Sequence, residues 1–386
     1  NVARWGGRRL IYMKWGGPLW AFLFFSMWFP WSYTNQVVIF IHFITSIIGF
    51  DMMLSLVWMV WTAVLPEMTE NIEERNVIML YSYFMSLLGA FPVMIAFLLF
   101  ETSLVWFQAF AGVCAVICGV LYYIVGANLK ERPELYKQQE IIPLKQAIKE
   151  MFRLKSFVAD TIYRSFNQIN IILSSSFIFA YLFILGVDLL TASLWFTFNS
   201  IILGFLGNYI YTKLSMTRDM RDLIIRGKIG IILINLTAFF IILFTGYKIL
   251  IWIFLLIGTI IGGYGLFDYP LLMLVTDDDE VMNGTRREGT IIGTNVFFIK
   301  ITESLAPILG TSILLFFGYV QGASIQSPRA ELGILFLMTV VPSIIHFFAL
   351  LGILYFPLHG DYLKEMNEKL LKIHEEKVKL FSSSSK

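Results

Sequence analysis

Long apolar runs separated by short polar connections make up most of the chain between residues 11 and 356. Most runs reach about 20 residues or more, the length that a helix needs to cross a bilayer, whereas the strands of an outer-membrane barrel alternate over about ten residues. Helices also satisfy their own backbone hydrogen bonds inside lipid. The pattern predicts ten membrane-spanning helices, at residues 11–31, 36–64, 77–99, 103–125, 157–185, 189–213, 229–247, 249–275, 290–318 and 331–356.

The composition supports an integral membrane protein. Of the 386 residues, 58% are hydrophobic and only 15% are charged, whereas about a quarter of the residues of a soluble domain are charged. The sequence contains no glycine-rich phosphate loop, zinc-binding helix or nucleophile elbow, so neither ATP-driven transport nor hydrolysis is indicated. We therefore expect a protein that is not an enzyme and that has no metal, cofactor or nucleic acid partner.

The basic residues fix a predicted orientation. When the first loop is placed in the cytosol and the spans alternate, most of the 29 lysines and arginines fall on the cytosolic side, including those of the loop 213–228. The predicted outer loops keep only Lys248 and Arg329. Cytosolic loops carry the excess of basic residues in membrane proteins. The distribution predicts a multi-pass protein of the cell membrane with both ends of the chain in the cytosol.

The longest polar connection, residues 126–156, divides the spans into a group of four and a group of six. We predict an N-terminal bundle at 1–125, a cytosolic linker at 126–156, a C-terminal bundle at 157–356 and a cytosolic tail at 357–386. Apolar side chains recur at helical spacing among lysines over residues 143–157, which predicts an amphipathic helix along the inner membrane face.

Two pairs of cytosolic loops are similar to each other. PEMTENIEERN (66–76) and TDDDEVMNGTRREG (276–289) both begin acidic and end near arginine, and the basic opening loop is similar to residues 213–228. If these loops correspond, the first four spans match the last four, and the fifth and sixth have no counterpart. We therefore expect a twelve-span protein whose first two helices lie outside this sequence. The alternative is a natural ten-span protein.

The same loops resemble those of a known family. AVLPEMTENIEER (63–75) is similar to the signature after the fourth helix of the glycoside-pentoside-hexuronide cation symporters, the melibiose-permease-like branch of the major facilitator superfamily. TDDDEVMNGTRREG with the following Lys300 resembles that family's loop between helices ten and eleven and its lysine in helix eleven. ARWGGRR (3–9) resembles the superfamily's basic loop after helix two.

This resemblance implies an all-α membrane protein with the major facilitator fold, in which two helical bundles (helices 3–6 and 7–12 here) enclose a central cavity. It also implies symport of a sugar, a glycoside or a related small organic solute with Na+ or H+, by alternating access. We expect a monomer in the lipid bilayer.

Lysophospholipid carriers belong to the same branch, so an amphiphile is the alternative substrate. A transporter-derived membrane sensor or scaffold is the alternative from another class. A closed polar cavity would favour a sugar, and an apolar cleft that faces the membrane would favour an amphiphile.

Ionisable residues inside spans are candidates for the transport site, because burying one costs at least about 2.5 kcal/mol. Lys300 and Glu303 share a helix face at i and i+3, and we predict that they act in the cation and substrate network. The alternative is a fixed structural pair.

Family members often have a carboxylate eight residues before the proline of helix four, where this chain has Trp58. Asp51, about two turns deeper, is the remaining candidate ligand for a cation or proton. The alternative is a salt bridge of Asp51 with Arg164 or Lys300. Trp58 and Trp61 could stack on a sugar or simply pack. We expect Asp51, Lys300 and Glu303 to converge on the central cavity.

Two sets of charged residues near the inner face are predicted to form gating or structural ion pairs. Asp160 and Arg164 have the favourable i,i+4 order. Asp277 and Asp278 belong to an acidic run at the C-terminal end of a span, where the helix dipole disfavours negative charge. Arg286, Arg287 and the loop 213–228 are the predicted cationic partners of this run. A solvated loop is the alternative.

The stretch GTIIGGYGLFDYP (258–270) is predicted to contain a helix hinge. Pro270 frees a backbone carbonyl, the glycines permit close helix packing, and Asp268 lies beside the proline.

Overall fold

A computed structural model describes residues 9–69, 71–129, 144–284 and 287–384, and all regular secondary structure in these ranges is helical. The α-helices are α1 (Leu10–Ser26), α2 (Gln36–Met68), α3 (Ile72–Thr102), α4 (Leu104–Asn128), α5 (Leu144–Met151), α6 (Lys155–Ser174), α7 (Leu189–Phe198), α8 (Gly204–Ser215), α9 (Met220–Thr245), α10 (Leu250–Ile261), α11 (Asp268–Asn283), α12 (Glu288–Phe316), α13 (Pro328–Tyr355) and α14 (Gly360–Ser384). Short 3₁₀ or π segments continue several of them, at Ser175–Phe177, Ala180–Ile184, Asn199–Leu203 and Gly262–Phe267.

Eight of the described helical stretches are long and apolar enough to cross a membrane, judged by length and composition alone. They are Gln36–Leu65, Leu104–Asn128, Lys155–Ile184, Leu189–Ser215, Met220–Thr245, Leu250–Asn283, Glu288–Phe316 and Pro328–Tyr355. Each corresponds to a predicted span. The two other predicted spans, 11–31 and 77–99, coincide with α1, which has 17 residues, and with α3. The total of ten spanning helices out of twelve stays a prediction.

The residue contacts divide the chain into two compact units. The first contains residues 1–70, 85–140 and 374–386, and the second contains residues 71–84 and 141–373. Most of the predicted N-terminal bundle therefore belongs to the first unit, and the predicted C-terminal bundle belongs to the second. The start of α3 is grouped with the second unit, and the end of α14 with the first.

In the first unit, α1 packs closely against α4. A Cβ atom placed on Gly126 would lie 2.5 Å from the backbone nitrogen of Lys14, so only glycine allows this approach. Aromatic rings fill the space above it, with the ring centroids of Trp20 and Tyr122 5.4 Å apart and those of Trp20 and Phe50 5.7 Å apart. These contacts join α1, α2 and α4.

In the second unit, α13 is the central helix. It is apolar on all sides and packs against α6 and α9, as expected of a helix surrounded by other helices. At Gly352 it comes so close to α6 that a Cβ atom would lie 2.7 Å from the backbone nitrogen of Tyr163. The core around it includes Leu173, Ile334, Leu337, Met338 and Val341.

The structure corrects two helix boundaries. The predicted amphipathic helix at 143–157 is shorter, because α5 ends at Met151 and Leu154 has an extended backbone that begins α6. The acidic run was predicted to lie in a loop after residue 275, but α11 continues through it to Asn283 and ends at Gly284, whose φ is +71°.

The glycine-rich stretch departs from α-helical geometry, as its composition suggested. Residues Gly262–Phe267 form a 3₁₀ segment immediately before Asp268. Gly263 meets α8 so closely that a Cβ atom would lie 2.2 Å from the carbonyl carbon of Gly207. The predicted close packing is therefore confirmed, while movement at Asp268 and Pro270 stays a prediction.

Candidate functional site

A polar cavity of about 310 Å³ lies inside the second unit. Helices α6, α9, α10, α11 and α13 and the 3₁₀ segment between α10 and α11 contribute to its wall. Its lining combines neutral amides and hydroxyls with aromatic rings. The polar lining residues include Asn167, Asn170, Asn235, Thr259, Asp268 and His346.

Helix α6 places its polar residues on one side. Asn167, Asn170 and Ser174 are three and four residues apart, so they lie on the same helix face, and all three line the cavity. The spacing continues toward the start of the helix through Tyr163 and Asp160. The sequence of α6 thus provides a polar stripe within an otherwise apolar bundle.

Asp268 is held by two neutral donors. The Tyr163 hydroxyl donates to its Oδ1 at 2.6 Å, and the Asn167 amide donates to its Oδ2 at 2.8 Å. Asp268 is the first residue of α11 and follows directly on the 3₁₀ segment Gly262–Phe267. Two hydrogen bonds therefore hold an acidic group at the cavity wall.

Lys228 lies behind this wall and is 0% exposed. Its ammonium group donates to Oδ1 of Asn167 at 2.6 Å and lies 3.1 Å from Nδ1 of His346. It also lies 5.0 Å from the ring centroids of both Tyr163 and Tyr264, a favourable position for a buried cation. An ammonium group has no lone pair, so Nδ1 of His346 accepts the bond and the ring proton is assigned to Nε2.

The side chain of Asn170 has unused hydrogen-bonding capacity. Its Nδ2 and Oδ1 are both buried, and neither has a hydrogen-bond partner among the residues that the structure describes. A buried polar atom without a partner costs about 1–3 kcal/mol. Asn170 is also one of the residues that line the cavity.

The predicted pair of Lys300 and Glu303 forms on α12. The Lys300 ammonium lies 3.0 Å from Oε2 of Glu303, and Gln168 donates to the other carboxylate oxygen at 2.9 Å. Both charged side chains are partly exposed, at 37% and 28%. The ion pair is thus confirmed as a contact, and its role in transport stays a prediction.

The other predicted binding residues lie on α2, in the first unit. Asp51 is exposed. The rings of Trp58 and Trp61 have centroids 5.5 Å apart and are tilted by 40°. Packing of the two tryptophans against each other is therefore present, while sugar stacking and the convergence of Asp51 with Lys300 and Glu303 stay predictions.

Asp160 and Arg164 do not form the predicted direct ion pair with each other in the described structure. Asp160 accepts instead from Asn295 on α12 at 3.3 Å. Arg164 donates to the backbone carbonyl of Asp268 at 2.8 Å and lies over the ring of Tyr269 at 5.1 Å. The correction has a simple cause, since the two side chains face different neighbouring helices.

The acidic run at the end of α11 is buried, so the alternative of a solvated loop is wrong. Asp277 pairs with Arg75 at 2.6 Å, and each of these side chains is only 2% exposed. Asp278 accepts from the Ser156 hydroxyl at 2.5 Å and from the Tyr362 hydroxyl at 3.3 Å. These contacts correct the expectation that Asp278 pairs with an arginine.

Arg287 is the predicted partner that does bind the acidic run. Its Nε donates to Asp279 at 2.9 Å, and it also forms an ion pair with Glu150 of α5. The hydrogen bond that Arg287 donates to Asp279 is the main cause that raises the pKa of Arg287. Arg286 lies outside the described residues. Arg75, which the sequence argument did not propose, takes the place expected of the loop 213–228.

The prediction that Lys228 belongs to the cytosolic loop 213–228 is wrong. Helix α9 begins at Met220, and Lys228 lies two turns inside it. Asn167, Asn170 and His346 were not singled out. The available signal was the repeated spacing of polar residues along α6, which marks a polar face inside an apolar bundle.

Comparison with known proteins agrees with this architecture. The family described as MFS/sugar transport protein matches residues 1–360. The isoprimeverose transporter of Lactiplantibacillus pentosus is 27% identical over 342 residues, which are 85% of this chain and 69% of the relative. The crystal structure of the E. coli fucose:proton symporter FucP is similar with a TM-score of 0.58, covering 89% of this chain and 84% of FucP.

The similarity to FucP, at 11% identity, shows the fold alone. The resemblance expected from the loop sequences is confirmed at the level of the family, because the family match extends over nearly the whole chain. Proteins of this family are membrane transporters and not enzymes. The chain is therefore a multi-pass membrane protein that belongs to the MFS/sugar transport protein family.

Proposed function

We propose that this protein is a secondary active transporter that moves a sugar or glycoside together with Na+ or H+ by alternating access. The observation that carries the proposal is the polar cavity of the second unit. Its volume of about 310 Å³ lies at the lower end of the range of ligand pockets, roughly 300–1,000 Å³. It is large enough for one sugar ring.

The chemistry of the cavity suits a neutral polyhydroxyl compound. Each asparagine side chain offers both a donor and an acceptor, as does each sugar hydroxyl. Phe177, Phe254 and Tyr264 supply apolar ring surface for the C–H faces of a sugar. The unsatisfied amide of Asn170 gives a specific position at which hydroxyls would complete the hydrogen bonding. The description of the curated relative as an isoprimeverose transporter supports a sugar or glycoside.

A lysophospholipid or another amphiphile is the second candidate, and one observation favours it. The first unit contains a cleft of about 1,110 Å³ between α1 and α4, with an almost entirely apolar lining that includes Trp15, Phe22, Phe25 and Val116. An acyl chain would fit such a surface, but a sugar would not. A third possibility is a sensor or scaffold that binds solute without moving it.

The topology belongs to the same proposal. We infer that both ends of the chain are cytosolic, because most basic residues fall on that side of the predicted spans. We also infer that the transporter acts as a monomer, since the polar cavity is built within one unit of one chain.

The proposal is tested by reconstituting the protein, expressed from its complete reading frame, into proteoliposomes. Counterflow and uptake of a labelled glycoside panel are measured with a Na+ gradient, with a pH gradient and with neither. Saturable counterflow of a glycoside, with accumulation driven by one gradient, is expected. Counterflow of lysophospholipid alone would favour the second candidate. Binding without counterflow would indicate a sensor.

Two variants connect this activity to the residues. Asn170→Ala should raise KM for the glycoside roughly 5- to 10-fold, the effect of losing about 1 to 1.4 kcal/mol of hydrogen bonding. Asn128→Ala, at the exposed end of α4, is the matched control and should leave KM unchanged. Lys300→Ala should abolish cation-driven accumulation, and undiminished accumulation would remove Lys300 from the mechanism.

A further inference from the structure

Four side chains of the second unit form a continuous hydrogen-bonded chain whose two ends line the same cavity. His346 accepts from Lys228, Lys228 donates to Asn167, and Asn167 donates to Asp268, at 3.1, 2.6 and 2.8 Å. The two ends, His346 and Asp268, both belong to the cavity wall. The chain therefore links a buried ammonium group to a carboxylate that a solute or water in the cavity can reach.

The two charged groups of this hydrogen-bonded series, the Lys228 ammonium and the Asp268 carboxylate, are not in direct contact. The amide of Asn167 lies between them, accepting from the ammonium of Lys228 with its oxygen and donating to Asp268 with its nitrogen. Other titratable and charged groups lie around these two residues. Tyr163 donates to Asp268, Arg164 donates to its backbone carbonyl, Tyr264 lies beside Lys228, and Asp160 is held by Asn295.

We propose that Asp268 is the position at which a coupled proton binds during transport, with Lys228 as its built-in counter-cation. This inference rests on the proposed function and specifies its coupling ion and the location of the ion's site. It places that site in the second unit, whereas the resemblance to cation symporters suggests carboxylates of the N-terminal helices.

The donor set favours a proton over a metal cation. A hard metal cation is held by several oxygen ligands at once, but both carboxylate oxygens of Asp268 already accept hydrogen bonds from Tyr163 and Asn167. The position between Asn167 and His346 is filled by the ammonium group of Lys228. A proton needs only one lone pair of a carboxylate, which keeps further acceptor capacity after two hydrogen bonds.

The charge changes give the site a direction of action. In the empty state, Lys228 and Asp268 are a cation and an anion that compensate each other. A proton from water in the cavity converts the carboxylate of Asp268 to the acid, so the cluster gains one positive charge. The ammonium of Lys228 then repels the bound proton and favours its return to water once the cavity opens to the other side.

Substrate-induced proton binding in the purified protein, expressed from its complete reading frame, tests the proposal. The wild type, in weakly buffered detergent solution with a pH dye, should take up about one proton per bound glycoside. Asp268→Asn should take up no proton per bound glycoside and should lose accumulation driven by a pH gradient. Asp361→Asn, at an almost fully exposed carboxylate, is the control and should behave like the wild type.

Lys228→Met provides a second, independent measurement, which tests the proposal even if Asp268→Asn does not fold. Without the ammonium, the carboxylate should hold its proton more tightly, so the pH midpoint of counterflow should move upward by about one unit or more. Three results would each overturn the proposal. They are proton uptake that persists in Asp268→Asn, an unchanged pH midpoint of counterflow in Lys228→Met, and wild-type accumulation driven by Na+ without a pH gradient. Failure of the wild type to exchange any glycoside would refute the proposed function itself and this inference with it.

Discussion

The charges of the buried Lys228 and the half-buried Asp268 allow a quantitative prediction by a double-mutant cycle. The variants are Lys228→Met, Asp268→Asn and the double variant. The hydrogen bonds of 2.6 and 2.8 Å and the width of the intervening amide place the two charges no more than about 8 Å apart. With an effective dielectric constant of about 20, two unit charges at this distance attract each other by about 2 kcal/mol.

Each single variant leaves one of the two charges without the other, whereas the double variant removes both. The two single losses in the free energy of unfolding should therefore exceed the loss in the double variant by about 2 kcal/mol. The assay is chemical unfolding in detergent micelles for the wild type and all three variants. The exposed pair Lys248 and Glu331, at 2.5 Å, is the control, for which the coupling should not exceed about 1 kcal/mol.

Additivity within about 0.5 kcal/mol at Lys228 and Asp268 would refute this reasoning. It would mean that Asn167 separates the charges too effectively for them to interact, or that Arg164 neutralises Asp268 unaided. The proposed role of Lys228 as counter-cation would then lose its energetic basis. A coupling as large at the exposed control pair would point to an effect of the detergent rather than of burial.

Three further predictions concern packing and the inner face. Gly263→Ala should destabilise the protein by about 1–3 kcal/mol, because the new Cβ would lie 2.2 Å from the backbone of α8. The control Gly258→Ala should not destabilise it, because no atom lies within 4 Å of the new Cβ. Arg75→Gln should cost about 3–5 kcal/mol because it removes one charge of a buried ion pair. Lys364→Gln, at an exposed pair, should change stability little. A hydrogen bond from Gln146, followed by the effect of Arg287, lowers the pKa of Glu150.

The sign of the last effect determines its measurement. A carboxyl group whose pKa is lowered by folding stabilises the protein above its ordinary pKa of 4.5, and the contribution disappears as the pH falls through the lowered value. As the pH falls below 4.5, the unfolding temperature of the wild type should therefore decrease more steeply than the unfolding temperature of Glu150→Gln. Parallel profiles would contradict this prediction. Equal stability of Gly263→Ala and Gly258→Ala, or of Arg75→Gln and the wild type, would contradict the other two.

The helices were predictable because lipid imposes the same requirement on every span. A run of about 20 apolar residues must satisfy its own backbone and therefore becomes a helix. The structure has a helix at each predicted span, but the ends differ where polar residues are buried. The acidic run after residue 275 was taken for a loop, although α11 continues to Asn283. Hydropathy cannot distinguish a solvated aspartate from one paired with an arginine 202 residues away.

The candidate site was predicted only in part, for a related reason. Lys300 and Glu303 are neighbours in sequence, so their contact follows from helical spacing alone. The contacts of Lys228 cannot be inferred in this way, because its partners Asn167 and His346 are 61 and 118 residues away. Its position eight residues after the start of α9 also looks like a loop when charges are counted by side of the membrane.

Helix α6 shows what a sequence can nevertheless reveal about such a site. Asn167 and Asn170 recur on one face, and this spacing marks a polar surface before any partner is known. A purely structural role explains Asn167, which is fully engaged with Lys228 and Asp268. It does not explain Asn170, whose buried amide has no hydrogen-bond partner in the described part of the chain. An unsatisfied buried amide is destabilising, so the amide of Asn170, a residue of the cavity wall, marks a position at which a bound sugar hydroxyl or a water molecule would supply the missing hydrogen bonds.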